Sequence, residues 1–103
     1  MSYSRGVQYE YKSIRFFEQM HNAATCDTYV IRSAGSKGPI DFMAFCGPCQ
    51  EAVAIQVKSG QAALTTEEAN ALKGLAEFFG EWRIHIELWT WHARAKGPVV
   101  EYY

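Results

Sequence analysis

The sequence predicts one α/β domain, with a mixed central sheet flanked by helices and the element order α-β-β-β-α-β. Apolar residues recur at helical spacing near the start of the chain and again after position 65, whereas the segments between are rich in β-branched and aromatic residues. Clusters of glycine and proline separate these segments. A length of 103 residues allows one hydrophobic core, so we assign residues 1–103 to a single domain.

The first predicted element is a helix over residues 4–21, with Ser4 as its N-cap. Glu10 lies on the same helix face as the apolar residues Ile14 and Phe17. A carboxylate on the protein side of a helix is unfavourable unless it has a partner or a chemical role. Glu10 is therefore a candidate functional residue.

Three strands are predicted next, over residues 28–33, 40–45 and 52–57. Their short connections favour an antiparallel meander, because adjacent strands joined by tight turns pair in that way. The sequence Cys46-Gly-Pro-Cys49 has the composition of a turn between the second and third strands.

A second helix and a fourth strand complete the predicted domain. Thr65 and Glu68 have the spacing of a capping box, and Gly80 is a suitable stop for the helix that follows. A long strand is predicted next, over residues 83–93. The chain reaches this strand through the helical crossover, so the strand could pair in parallel within the sheet. Gly97-Pro98 marks a turn before a short tail, residues 99–103.

Trp89 and Trp91 project from one face of the last strand, and we expect them to form an exposed apolar patch that is buried in a dimer interface.

The composition is that of a globular protein, with 49% hydrophobic and 20% charged residues, and it argues against disorder. No stretch is suited to cross a bilayer and no apolar leader is evident, so we expect a cytoplasmic protein, cellular or virus-encoded, with Cys26, Cys46 and Cys49 reduced. The net charge of −1 conceals an asymmetry, since residues 1–38 carry five basic and three acidic side chains and the rest carry five and eight. An anionic partner is expected to meet the first third of the chain.

One constellation of polar residues suggests chemistry. Asp41 lies near the start of a predicted strand, and Gln56 and Lys58, two positions apart, share one face of the next. In a hairpin these three side chains converge at one end of the sheet, within reach of Glu10. Two carboxylates and an amide oxygen are hard ligands suited to Mg²⁺ or Mn²⁺, and a nearby lysine can orient water or offset phosphate charge. The pattern therefore indicates a phosphodiester-hydrolysing site.

The sequence also resembles the archaeal-type Holliday junction resolvases, members of the PD-(D/E)xK nuclease superfamily. The resemblance covers about the first 60 residues. It rests on Tyr3-Ser-Arg-Gly-Val-Gln-Tyr-Glu10, Val30-Ile-Arg-Ser-Ala-Gly-Ser-Lys37, Pro39-Ile-Asp-Phe-Met-Ala44 and Ile55-Gln-Val-Lys58. It implies a restriction-endonuclease-like core and a homodimer that cuts four-way DNA junctions symmetrically with Mg²⁺, for which Mn²⁺ is expected to substitute. We expect no membrane partner and no small-molecule cofactor.

The resemblance also implies roles for individual residues. Glu10 matches the family's helix glutamate, Asp41 its metal-binding aspartate and Lys58 its catalytic lysine. Gln56 departs from the pattern, because this position is usually glutamate, and the amide keeps an oxygen ligand but lacks the charge. Arg32 and Ser36 match the family's strand-end arginine and loop serine near the scissile phosphate. Beyond the resemblance, we expect the Val57 carbonyl to be a further metal ligand. We expect the DNA contacts to be Arg5, Lys12, Arg15, Arg32, Ser36 and Lys37.

Three alternatives remain open from the sequence. The Cys46-Gly-Pro-Cys49 run is similar to the redox motif of thioredoxins, which would make the chain a thiol–disulfide oxidoreductase. A non-catalytic junction-binding protein is a second alternative, because Gln56 is compatible with a decayed site. A third is a nuclease of the same superfamily with a different DNA substrate.

Overall fold

The computed structural model describes residues 5–23, 27–33, 38–60 and 64–103, with side chains from residue 7 to residue 20 in the first of these ranges. The elements are α1 (Arg5–Ala23), β1 (Thr28–Arg32), β2 (Phe42–Cys46), β3 (Glu51–Ser59), α2 (Thr66–Phe79), β4 (Ile84–Trp91) and β5 (Val99–Tyr102). The predicted order α-β-β-β-α-β is confirmed, and one further strand follows it.

The five strands form one mixed sheet in the order β1-β2-β3-β4-β5. β1, β2 and β3 pair antiparallel, which confirms the predicted meander. β4 pairs parallel with β3 after the α2 crossover, as the topology predicted. The prediction of a short tail over residues 99–103 is wrong, because Val99 to Tyr102 add an antiparallel edge strand beside β4.

α2 begins and ends where its sequence predicted. The hydroxyl of Thr65 accepts from the backbone N–H of Glu68, and the Glu68 carboxylate accepts from the backbone N–H of Thr65, which is a complete capping box. At the other end, Gly80 has a positive φ of 49° and its N–H donates to the Ala76 carbonyl. These contacts satisfy backbone groups at both ends of α2.

Each face of the sheet carries its own hydrophobic core. α1 covers a core that contains Phe17, Phe42, Ala44, Ile55 and Trp89. α2 covers the opposite core, which contains Ala54, Leu72, Ile86 and Leu88. The alternation of side chains along β3 and β4 produces this division, because successive residues of a strand point to opposite faces.

The assignment of Trp89 and Trp91 to an exposed dimer patch is wrong. A single chain already buries both side chains, which are 5% and 1% exposed. The ring of Phe16 on α1 meets both indoles edge-on, at centroid distances of 5.9 and 5.7 Å. The physical reason is that α1 covers only the later part of this β4 face, so the same face begins with the exposed His85 and ends inside the core.

Residues 47–50 form the predicted turn between β2 and β3. The Gly47 N–H donates to the Asp27 carbonyl at 3.0 Å, and the Gln50 N–H donates to the Gly47 carbonyl at 3.1 Å. Cys46 is the last, buried residue of β2, whereas Cys49 is exposed in the turn.

Within the described ranges, neither helix is both long and apolar enough to cross a membrane.

The buried Ser13 hydroxyl links α1 to β4, and we expect its loss to destabilise the fold. It accepts from Trp91 Nε1 at 2.6 Å and donates to the Tyr9 carbonyl at 2.8 Å. Ser13→Ala leaves a buried indole N–H without its acceptor, so the free energy of unfolding should fall by about 1–3 kcal/mol. Urea unfolding followed by tryptophan fluorescence measures the change.

A double-mutant cycle separates this hydrogen bond from general packing. Trp91→Phe removes the indole N–H, so Ser13→Ala should be less destabilising in that background than in the unaltered chain. Equal effects of Ser13→Ala in both backgrounds would contradict the proposed coupling.

Candidate active site

Asp41 lies just before β2 and is held by the backbone on both sides. Its N–H donates to the Ile55 carbonyl at 2.9 Å, and its carbonyl accepts from the Ser33 N–H at 2.8 Å. Its side-chain Oδ2 accepts from the Val57 N–H at 2.7 Å. The convergence of Asp41 with β3 predicted from the hairpin is therefore present.

The environment of Asp41 opposes its negative charge. Burial raises the pKa of this carboxyl to about 6 from an ordinary value of 3.8, although the Val57 N–H acts in the opposite direction. The charge of Glu10 raises the pKa further, while Lys58 and Arg32 lower it by smaller amounts. The charge of Glu10 thus acts on Asp41, and a positive charge added beside Asp41 would favour its carboxylate.

Glu10 faces the protein interior, as its helix position predicted. It is 7% exposed, and its Oε1 accepts from Arg32 Nε at 3.0 Å. Arg32 is the last residue of β1, and its guanidinium also lies over the Tyr11 ring at 4.9 Å. The predicted strand-end arginine is therefore the partner that compensates the buried Glu10.

Gln56 and Lys58 project from the same side of β3 and share a partner, Glu68, whose spacing from Thr65 predicted only a helix cap. Glu68 Oε2 accepts from Lys58 Nζ at 2.7 Å and from Gln56 Nε2 at 3.1 Å. The Lys58 hydrogen bond is the main reason that the pKa of Glu68 is lowered to about 2. The capping-box spacing revealed Glu68, but only the fold brings its second oxygen to β3.

The Gln56 amide provides a test of the predicted cation site. Its Oε1 is buried, and no donor in the described part of the chain reaches it. A buried carbonyl oxygen without a partner is costly, and a cation or a water molecule would satisfy it. The residues present therefore fit a hard divalent ion.

The donor set consists of two carboxylates and one amide, with the Val57 carbonyl nearby. Among the described residues, there is no group of three or more His, Cys, Asp or Glu side chains that could hold a metal ion. A metal at this site thus depends on Gln56 as well as on Asp41 and Glu10. Mg²⁺ commonly keeps waters and takes few protein ligands, which suits this sparse set.

Of the predicted DNA contacts, Lys12 and Arg15 are exposed on α1. Lys12 Nζ lies 4.6 Å from the centre of the Trp91 ring, a cation–π contact that directs the ammonium group. Ser36, Lys37 and the side chain of Arg5 lie outside the described residues, so their predicted roles stay predictions.

A comparison with solved structures finds a similar fold in Archaeoglobus fulgidus Hjc, a Holliday junction resolvase from an archaeal hyperthermophile. The TM-score is 0.61, and the match covers 97% of this chain and 72% of that chain at 23% sequence identity. The chain shares this fold. This result confirms the predicted restriction-endonuclease-like core. By sequence, no family model and no curated protein matches the chain.

The raised pKa of Asp41 predicts that this residue destabilises the folded chain when it is ionised. The folded chain binds the Asp41 proton more tightly than the unfolded chain, so stability falls as the pH rises from about 4 to about 6. Asp41→Asn keeps an oxygen acceptor for Val57 and removes the charge. We expect its melting temperature in EDTA to exceed that of the unaltered chain by a few degrees at neutral pH and to equal it below about pH 4.

Thermal unfolding monitored by circular dichroism across this pH range tests the expectation. Asp27→Asn is the matched control, because it makes the same change at an exposed position. A lower melting temperature for Asp41→Asn at neutral pH would show that the charge does not oppose folding.

Proposed function

We propose that the chain is a Mg²⁺-dependent, structure-selective DNA endonuclease that resolves four-way (Holliday) junctions by paired strand nicks. The observation that carries the proposal is the cluster at one end of the β2–β3 hairpin. There the half-buried Asp41 lies beside β3, Glu10 acts on it through its charge, and Gln56 Oε1 needs a partner. The named activity of the A. fulgidus protein, which has the same fold, supports the choice of substrate.

The chemistry follows from the residue types in this cluster. Mg²⁺, when bound, would offset charge on the phosphate and activate a water molecule. Asp41, Gln56 and Glu10 would hold the ion, with the Val57 carbonyl as a further candidate ligand. The Lys58 ammonium, one residue beyond Val57, would orient the attacking water or the phosphate.

Arg32 has two roles in this proposal. Its Nε holds Glu10 at 3.0 Å, and its remaining N–H groups are donors with the geometry that suits phosphate oxygens. The side chain is 31% exposed, so the guanidinium is accessible at the surface of the site while its Glu10 partner is buried. Arg32 would therefore link the metal-binding carboxylates to the DNA backbone.

Paired nicking requires two active sites, because the two cut strands of a junction are related by symmetry. We propose that the active species is a C2 homodimer, in which each chain cuts one strand. With Trp89 and Trp91 inside the single chain, the dimer interface must be formed by other residues. The oligomeric state is measured by size-exclusion chromatography with light scattering.

The oxidoreductase alternative places different demands on the structure. A reactive cysteine of that type lies at the N-terminus of a helix, where its thiolate is stabilised. Cys46 instead ends a strand, and β3 follows the turn that contains Cys49. We therefore favour the nuclease, and treat binding without cleavage or cleavage of other DNA as outcomes of its test.

The nuclease proposal predicts that Asp41→Ala abolishes cleavage and that Lys58→Ala lowers the cleavage rate by at least about 100-fold, because metal binding and water orientation are lost. Both variants should still bind the junction. A labelled four-way junction and a matched linear duplex, each with Mg²⁺ or EDTA, measure cleavage, and electrophoretic mobility shifts measure binding. Lys73→Ala is the matched lysine control, because Lys73 is exposed on α2.

The outcomes separate the alternatives. Paired nicks in the junction only, dependent on Mg²⁺ and lost in Asp41→Ala, would support the proposal. Binding without cutting would indicate a non-catalytic junction-binding protein, and equal cutting of the linear duplex a nuclease with another substrate. Full cleavage by both Asp41→Ala and Lys58→Ala would refute the site assignment.

The α1 surface predicts a separate effect on DNA affinity. If Lys12 and Arg15 bind phosphates, removing either side chain should weaken junction binding and lower the slope of log affinity against log salt by about 1 for each phosphate that is no longer neutralised. The cleavage rate at saturating DNA should stay unchanged. Fluorescence anisotropy over a salt series measures the slope, with Lys96→Ala as an exposed control. Unchanged slopes for both α1 variants would exclude phosphate binding by these residues.

A further inference from the structure

Glu68 is placed where it can act on both polar residues of β3. It belongs to the first turn of α2, and its two carboxylate oxygens have different partners. Oε1 accepts from the Thr65 N–H at 3.0 Å and completes the helix cap. Oε2 accepts from Lys58 Nζ at 2.7 Å and from Gln56 Nε2 at 3.1 Å. One side chain thus joins the start of α2 to the candidate metal site.

The chemistry of this contact determines the orientation of the Gln56 amide. An ionised carboxylate only accepts hydrogen bonds, so Gln56 must present Nε2 to Glu68 and not its oxygen. Oε1 is then directed away from Glu68, where it is buried and has no donor within the described residues. Glu68 therefore determines which atom of the amide is offered as a ligand.

The contact also accounts for the glutamine in a position where the resolvase-like pattern has glutamate. A carboxylate at position 56 would bring a second acceptor-only group to the place where Nε2 is now 3.1 Å from Glu68. Two like charges at this distance repel, and neither group could donate. The amide avoids this conflict, while Glu68 supplies a negative charge next to Lys58.

We propose that Glu68 is a positioning residue of the active site, which orients Gln56 Oε1 towards a divalent cation and holds the Lys58 ammonium in place. This inference rests on the proposed nuclease function and extends it to a residue from α2. Positions 56 and 68 form a functional pair, in which the charge that position 56 lacks is carried by the helix.

The first test measures metal binding without DNA. Calorimetric titration with Mn²⁺ should show about 10- to 100-fold weaker binding for Glu68→Ala, as expected when a group that orients a ligand is removed. Two controls isolate this effect. Glu67→Ala removes an exposed acid from the same turn, and Thr65→Ala weakens the helix cap, so both should keep the Mn²⁺ affinity.

The second test exchanges the two residues. Gln56→Glu alone should lower the melting temperature in EDTA, because its carboxylate meets Glu68. The double variant Gln56→Glu/Glu68→Gln restores one donor and one acceptor at the contact and keeps the total charge. We expect it to recover thermal stability and Mn²⁺ affinity to within about threefold of the unaltered chain, which independent effects of the two substitutions would not produce.

Single-turnover cleavage of the junction provides the third measurement. Glu68→Ala should reduce the rate at saturating Mg²⁺ by about 10-fold or more, while the affinity for the junction in EDTA stays unchanged. A folded Glu68→Ala variant with unaltered Mn²⁺ affinity and cleavage would overturn this inference alone. Absence of both Mn²⁺ binding and cleavage in the unaltered chain would instead overturn the proposed function.

Discussion

The hydrogen bond from the Val57 N–H to Asp41 Oδ2 is the interaction on which the rest of the site depends. It joins the segment before β2 to β3 at the point where the hairpin leaves the core. The register of β3 against β2 and the alternation of side chains place Gln56 and Lys58 on the side of β3 that meets α2, next to this bond. The same geometry that closes the hairpin thus assembles the candidate ligands.

Charge at this point is not fully balanced within the protein. Arg32 neutralises Glu10, and Glu68 neutralises Lys58, but the carboxylate of Asp41 relies mainly on one backbone donor. Its raised pKa reflects burial together with the nearby Glu10. Functional sites commonly keep such a local instability, because the group that relieves it is the ligand. A divalent cation is the simplest species that would relieve it and also satisfy Gln56 Oε1.

Local patterns in the sequence were sufficient to predict the order of the elements up to β4 and to select the residues of the candidate site. Alternation along β3 and β4, the capping box before α2 and the stop at Gly80 are properties of short segments, and each is confirmed. The errors concern long-range packing. Trp89 and Trp91 occupy the polar side of their strand by alternation alone, and only the position of α1 shows that they are buried. The edge strand β5 is likewise decided by a neighbour, because four residues form a strand only where a partner is available.

Glu68 shows why a motif can be recognised and still be interpreted incompletely. The resolvase-like pattern has a carboxylate at position 56, so Gln56 on its own indicates the loss of one negative charge. In the folded chain, the attraction of the candidate site for a cation depends on the total charge around the site, whichever element contributes that charge. Glu68 lies 12 positions beyond Gln56, on another element, and reaches the same pair of residues through the α2 cap. The effect of a substitution at position 56 consequently depends on the residue at position 68.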